Sequence, residues 1–402
     1  MVLDVVVVDQ QGRTPAAGTQ RASVGAPIPP MPDATACDQM IIDQSTIVAD
    51  GKVVQTRFDV RYVSERLDFE DSFETPPIAG DRLAYVTALY GQIEKDWGAS
   101  ASDAERFNKA LRAYGGQLFD ELIPEPIQKL LWDNRDTIKQ IQLNSIDPFI
   151  PWEVVHLKQP NGKLPSEERF LASMGLVRWI DGAKYPPRQV NVATGRARVL
   201  APSYPPASGW QLSEPVNEYK FVNETFDATL VDADVDAVMD LLEKPGQFDL
   251  FHFAGHGTAD LTDIANAGLV VTVRQEGGRW VPVPLTAILV EQYGDLRKDS
   301  GNRPLVFLNA CQVGRSGYQL TRTGGFAEGF LKAGAGIFVS TLWSVVDEPA
   351  RRFTEVFYGQ LVAGRTVADA ATVARQKCRA DGDPTWLAYV VYGRPDGRLA
   401  RS

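Results

Sequence analysis

Two short apolar runs stand out in the pattern of the chain. Asp249-Leu250-Phe251-His252-Phe253-Ala254 ends in Gly255-His256-Gly257, and Pro304-Leu305-Val306-Phe307-Leu308-Asn309-Ala310 ends in Cys311. Both are rich in aromatic or branched residues and are bounded by turn residues, which is how a strand buried on both faces of a parallel sheet reads. Helical spacing surrounds them. Val216–Phe226 is an acidic amphipathic helix, Val235–Leu242 a second, Gly325–Ala333 a third, and Phe353, Val356, Phe357 and Leu361 mark one face of a fourth. Further strands are predicted at Ala197–Pro202, around Ala228–Val231 and at Gly336–Trp343. A hairpin with a Gly277-Gly278 turn, Leu269–Val273 against Trp280–Val283, is inserted between the two apolar runs.

The same alternation, less regular, precedes this region. Leu83, Val86, Leu89, Tyr90 and Ile93 share a helical face, as do Phe107, Ala110, Leu111 and Tyr114; a short helix over Ile127–Trp132 and strands at Thr137–Leu143 and Leu176–Ile180 follow. Strands alternating with helices predict an α/β fold, a largely parallel sheet covered on both sides. Residues 2–8 read as one strand, and 11–36 as a Pro/Ala/Gly-rich linker or arm. Strand-like segments between Met40 and Val63 flank Asp50-Gly51, a hairpin signal. The expected organisation is a small β-rich amino-terminal module (1–66), a first α/β layer (67–187) and a second (188–402).

Composition narrows the function classes. The 402 residues carry a net charge of −10 without a basic stripe, which excludes a surface built for nucleic-acid phosphates. The three cysteines, Cys37, Cys311 and Cys378, form no CxxC pair, so neither a disulfide framework nor a zinc site is indicated and a reducing compartment fits. The amino terminus lacks a basic segment before its apolar run, and no stretch reaches the ~18 apolar residues of a membrane span. A cytoplasmic protein, not embedded in a membrane, is expected.

In open α/β sheets, ligands bind at the carboxyl ends of the strands. A His and a Cys at two such ends suggest a base and a nucleophile. Of the three histidines, His252 lies within its strand and reads as a structural imidazole, whereas His256 sits between two glycines at the strand end and reads as the working one; His156 reads as a core or rim residue. Cys37 and Cys378 read as inert buried thiols. Cys311 ends a strand; if the two strand ends are neighbours, His256 can raise its thiolate fraction and the backbone N–H groups of Gly257 and Cys311 can face a developing oxyanion.

His252-Phe253-Ala254-Gly255-His256-Gly257, followed by Leu308-Asn309-Ala310-Cys311-Gln312 and then Ser340-Thr341-Leu342-Trp343-Ser344-Val345-Val346-Asp347, resembles the CHAT subgroup of caspase-like cysteine peptidases. The likeness extends upstream to Leu122-Ile123-Pro124 and Pro151-Trp152-Glu153. It implies a caspase–haemoglobinase-like fold with an inactive first layer and a catalytic second one, with His256 as base or proton donor, Cys311 as nucleophile and Gly257 in the oxyanion hole. It implies no metal or other cofactor. The expected function is a cysteine endopeptidase making limited cuts in a protein substrate. The rival is a non-catalytic interaction or signalling module of the same fold. The family often carries helical repeats of ~34 residues before this domain and none is found here, so either regulation differs or a regulatory or activating partner lies on another chain.

The resemblance also places a substrate pocket between Asn309 and the run that contains Trp343 and Asp347. Neither piece holds Lys or Arg, so Asp347 becomes the counter-charge for a basic substrate residue, unless it serves only to cap the following helix. The polar loop 312–324 is expected to be mobile and to shape the cleft.

Overall fold

The computed structural model describes residues 19–23, 37–49, 52–78, 82–99, 104–145, 147, 150–258, 264–297, 301–311, 317–318, 323–345, 347–379 and 385–402. The strand expected at residues 2–8 and most of loop 312–324 lie outside them. In chain order the first elements are β1 (Thr19–Ser23), β2 (Asp38–Ala49), β3 (Lys52–Ser64), β4 (Phe69–Glu74), α1 (Arg82–Ala99), α2 (Ala104–Leu122), α3 (Glu125–Asp133), β5 (Ile141–Ser145) and β6 (Leu176–Trp179). In β3 a period of two is plain: Phe58, Val60 and Tyr62 are fully buried, and the residues between them are not. The run 11–36, read as a linker, contains β1, which pairs antiparallel with β2 from Thr19↔Ala49 to Ser23↔Ser45.

The second series begins with β7 (Gln189–Val192) and β8 (Ala197–Leu200), and continues with α4 (Pro215–Phe226), β9 (Thr229–Leu230), α5 (Val235–Leu242), β10 (Leu250–Ala254) and β11 (Gly257–Thr258). The hairpin β12 (Gly268–Glu276) and β13 (Arg279–Thr286) follows, then α6 (Ala287–Tyr293), β14 (Leu305–Asn309), β15 (Gly317–Tyr318), β16 (Thr323–Gly324), α7 (Phe326–Ala333) and β17 (Ile337–Thr341). The chain closes with α8 (Asp347–Val362), α9 (Val367–Arg379), α10 (Thr385–Ala388), β18 (Tyr389–Tyr392) and β19 (Arg398–Arg401).

One twelve-stranded sheet runs through all three expected stretches, in the order β4-β3-β2-β5-β6-β18-β17-β14-β10-β8-β9, with β1 added on β2. Seven of its eleven pairings are parallel. They fall into two blocks. The strands β8, β9, β10, β14 and β17 run one way; β18 is antiparallel to β17, and β18, β6, β5 and β2 run the other way. The carboxyl ends of the first block therefore lie on the opposite edge from those of the second.

Helices cover both faces. On one, Phe330 of α7 stacks between Phe251 of β10 and Phe338 of β17. On the other, Phe307 of β14 meets Phe353, Phe357 and Tyr358 of α8. Where the blocks meet, Arg178 of β6, paired with Tyr392, is buried against Glu153: its Nε donates to Oε1 at 2.8 Å, a second bond joins Nη2 to Oε2, and Nη2 also reaches the Ile150 carbonyl at 3.2 Å. Glu153 is fully buried. The Glu153→Ala variant leaves a buried guanidinium without its counter-charge, so we expect a loss of about 3–5 kcal/mol in urea unfolding; a change below about 1 kcal/mol would show that water reaches this pair.

Candidate active site

Four neighbouring parallel strands, in the order β17-β14-β10-β8, bring their carboxyl ends to one edge. Ala254 pairs with Asn309, and the Gly255 N–H donates to the Asn309 carbonyl at 3.2 Å. His256 and Cys311 each lie two residues beyond that pair in sequence, just past the ends of adjacent strands.

The loop after β8 holds His256 in place. The imidazole Nε2 is 2.7 Å from the Trp210 carbonyl, which can only accept, so Nε2 carries the proton and Nδ1 keeps the lone pair in the neutral ring. The indole of Trp210 stands edge-on to the ring at 5.2 Å, and Tyr204 lies 5.3 Å away on another side. The Tyr204 hydroxyl accepts the His256 backbone N–H at 3.2 Å and donates to the Val270 carbonyl at 2.7 Å, while the Val270 N–H donates to the His256 carbonyl at 2.9 Å. The hydroxyl is thus inserted into the first rung between this loop and β12. Gly255 makes room for it, since a Cβ there would meet the Tyr204 oxygen at 3.0 Å and Phe253 at 2.8 Å. The next rung, Gly257↔Leu269, is then a non-bonded pair, and the alternation of an antiparallel ladder turns the Gly257 N–H away from β12.

Cys311 is partly buried. Burial pushes its thiol up from the ordinary value; the Val345 N–H and the Ser344 hydroxyl pull it down, and the carboxylates of Asp347 and Glu94 push it up again. The residue before it is pinned by the Thr341 hydroxyl, which donates to the Ala310 carbonyl at 2.6 Å. Both groups that pull the thiol down belong to the loop after β17. Cys37, also buried, has its thiol pushed up to about 12, mainly by burial, and Cys378 donates to the Pro349 carbonyl at 3.4 Å. His156 lies in the first half, its Nε2 accepting the Arg169 N–H at 2.9 Å and its pKa depressed to about 4, chiefly by burial.

Beneath the two strand ends lies a buried polar cluster centred on Glu218 of α4. Asn309 Nδ2 donates to both carboxylate oxygens at 2.8 and 2.9 Å, the Thr354 hydroxyl to one of them at 3.2 Å, and His252 Nε2 lies 3.0 Å from the same oxygen. The Tyr389 hydroxyl donates to Asn309 Oδ1 at 2.7 Å, and His252 Nδ1 is 3.1 Å from the Tyr358 hydroxyl. Asn309 is therefore turned inward and spent on this cluster. That corrects its reading as a pocket wall. Trp343 is likewise packed into the core beside Tyr90 at 6.3 Å, with 1% of its surface exposed, too little to form a pocket wall.

Asp347 remains partly accessible as the first residue of α8. Its carboxyl is held above the ordinary value, chiefly by burial and also by Glu218 and Glu214, against the opposing pull of the Ser213 N–H and His256. Tyr204, Trp210 and Glu218 were not among the candidates drawn from the sequence. For Glu218 a signal existed: it precedes Val222 and Phe226 by four and eight residues, which places a lone acid on the buried face of α4.

Among the described residues no group of His, Cys, Asp and Glu side chains could hold a metal ion. The CHAT domain family profile matches residues 112–394, well over half of the chain. In fold the chain is similar to a chain of the Saccharomyces cerevisiae separase–securin complex, with a TM-score of 0.50 and 12% identity over 92% of this chain and 30% of that one. It is also similar to Porphyromonas gingivalis RgpB in the complex of its pro- and mature domains (TM-score 0.41, 13% identity, 75% of this chain and 71% of that one). The chain thus spans about 30% of the separase-complex chain that it matches. No curated protein matches it in sequence.

Removing the central acid tests the buried cluster. In Glu218→Ala, Asn309, Thr354 and His252 lose their shared partner in a dry site, so we expect about 3–5 kcal/mol of destabilisation in urea, and Glu218→Gln should retain more of the stability because it keeps one acceptor oxygen. Equal stability of all three proteins would show that the cluster does not hold the strand ends.

Proposed function

The chain belongs to the CHAT-domain family, and from that premise we propose that it is a cysteine endopeptidase that makes limited cuts in a protein substrate, using Cys311 and His256. What supports this most is the placement of those two residues just past neighbouring strand ends, two positions beyond the Ala254↔Asn309 pair of adjacent parallel strands. In the proposed reaction the lone pair on Nδ1 of His256 takes the thiol proton as the Cys311 sulfur attacks the scissile carbonyl carbon. The carbonyl π electrons move to oxygen, where the N–H groups of Gly257 and Cys311 stabilise the charge. Collapse expels the amine, which receives the proton from the imidazolium, and leaves a thioester. Water, losing a proton to the same nitrogen, then releases the acid and the thiol. The Trp210 carbonyl holds the ring in the required tautomer throughout. No metal takes part in these steps.

For the substrate we propose a basic residue on the amino-terminal side of the cut. The partly buried Asp347 carboxylate supports this, and the acids Glu214 and Glu218 nearby reinforce the negative field. A separate regulatory protein partner and a cytoplasmic setting complete the proposal; no described helix is long and apolar enough to cross a membrane.

The Cys311→Ala and His256→Ala variants should each lose roughly 10³-fold or more of peptide hydrolysis, while His252→Ala, which empties part of the Glu218 cluster, should chiefly lower stability. Absence of any hydrolysis by the parent protein that Cys311→Ala abolishes would leave the non-catalytic binding module as the better reading. Specificity is checked with fluorogenic peptides that differ only at the residue before the cut. We expect turnover after Arg or Lys and little after Asp, and a selective loss of the basic substrates in Asp347→Ala; efficient cleavage after Asp alone would overturn the pocket assignment.

A further inference from the structure

At the end of β14 away from Cys311 lies a cavity of about 300 Å³, lined by the loop after β6, the segment that leads into β14 and the end of α7. Four of the residues around it are cations: Lys184, Arg297, Arg303 and Lys332. The chain as a whole carries −10, so the cavity runs against its average charge. Lys332 is bonded to Glu328 one turn earlier, and Arg297 Nε lies 3.3 Å from Asp295 Oδ1. Lys184 and Arg303 have no carboxylate partner among the described residues. Lys298 and Asp299, next in sequence after Arg297, cancel in charge.

Arg303 is only 6% exposed. Its Nε donates to the Gly334 carbonyl at 3.0 Å, Nη1 to the carbonyls of Lys184 and Tyr185 at 3.0 and 2.6 Å, and Nη2 to the Ala335 carbonyl at 2.7 Å. Four bonds leave at least one of the five N–H donors of a guanidinium over. The Trp179 ring lies beside the group, its centre 5.5 Å from the guanidinium carbon. Carbonyls and an indole engage the donors but supply no negative charge. Arg178, just as buried, has Glu153 for that purpose. Burial and the nearby Arg297 push the Arg303 pKa down to about 10, which still leaves it charged at neutral pH. A buried cation without a counter-ion is unfavourable, and an anion in the cavity that Arg303 lines would remove the penalty.

We propose that this cavity binds a small anion with a terminal phosphate group, with the buried Arg303 at its floor and the exposed Lys184 and Arg297 at its rim. Two uncompensated cations match the charge of about −1.5 to −2 on a phosphate monoester, and Arg presents paired N–H groups to phosphate oxygens. The volume sits at the lower end of small-ligand sites, which admits a phosphate and a few further atoms rather than a long polyanion. The rim is also shaped in advance. Gly334 has a φ of 125° and lets the Arg297 stem lie against the chain, where a Cβ would stand 2.6 Å from Arg297 Cγ. A bound anion would tie the loop after β6 to the start of β14 and the end of α7, and so bridge the two oppositely directed blocks of the sheet.

The test uses the full-length protein with inorganic phosphate as the probe, followed by titration calorimetry and thermal unfolding, and sodium chloride at matched ionic strength as the control. Phosphate should bind saturably and raise the unfolding midpoint where chloride does not, because it binds only the folded chain. Lys184→Ala and Arg297→Ala alter exposed residues, and each should weaken phosphate binding by about 10-fold, as expected for one charged hydrogen bond. Arg303→Lys keeps the charge without the fork and should weaken it further; if that variant does not fold, the two exposed ones decide. Glycerol 3-phosphate separates the two sources of the group: affinity at least equal to that of phosphate assigns a phosphorylated small molecule, and binding of phosphate alone assigns the free ion, either of which supports the site.

The proposal is overturned if chloride reproduces the whole effect of phosphate, or if both exposed variants bind phosphate as tightly as the parent. Tighter binding of malonate than of phosphate also overturns it, by making the cavity a carboxylate site. None of these readouts depends on peptide hydrolysis, so the site stands or falls apart from the peptidase reading.

Discussion

A carboxylate taken out of water is costly unless its oxygens are fully engaged, and Glu218 is the point where this protein meets that demand. Its partners come from β10 (His252), β14 (Asn309) and α8 (Thr354), and Tyr389 of β18 adds the next link through Asn309. Apolar packing alone would hold two neighbouring strands side by side while tolerating a shift along their length. The Glu218 bonds tolerate much less, because His252 and Asn309 must present their nitrogens to one carboxylate group. His256 and Cys311 follow two residues after the ends of the same two strands, so these bonds lie beneath the strand ends that carry them. The helix that carries Glu218 is itself tied to α8, since Arg351 pairs with Glu214 at 2.7 Å.

Strand polarity decides what the rest of the chain can contribute. Because β18 runs antiparallel to β17 and parallel to β6, the block of β18, β6, β5 and β2 points its carboxyl ends at the far edge. The expectation of a first layer without chemistry thus has a topological side: whatever residues stood at the ends of β5 and β6, they would lie on the wrong side of the sheet. The first half reaches the cleft edge in another way, through α1, whose Tyr90 and Glu94 meet the loop after β17. The connection across the seam is short, the pair Tyr392↔Arg178 between β18 and β6, beside the buried Arg178–Glu153 pair.

How much of this was legible follows from how local each signal is. The runs that became β10 and β14 were plain because they are buried on both faces and end in turn residues; the helix at Val235–Leu242 and the β12–β13 hairpin were plain for similar reasons of period and turn chemistry. The strand β1 was hidden in a Pro/Ala/Gly-rich run, and β18 and the β7–β19 pair were hidden because each is four residues long and defined by a partner far away in sequence. The site divided along the same line. Strand ends could be read, but Tyr204 and Trp210 come from a Pro-rich loop whose course no periodicity records, and the backbone carbonyl of Trp210 has no side-chain signature at all. Asn309 was misread for a physical reason. Its position before the cysteine fixes its height in the sheet, and the direction of its side chain depends on an acid 91 residues away.

In the proposed reaction the Cys311 thiol, which burial pushes toward its protonated form, gives its proton to the His256 imidazole, so reactivity would depend on moving one proton between two side chains rather than on releasing it to water. Charges near the pair must be judged by that transfer. A carboxylate that senses both groups opposes the thiolate and attracts the imidazolium, and the two effects largely offset. Asp347 is of this kind, since it raises the Cys311 thiol and is itself pulled down by attraction to His256.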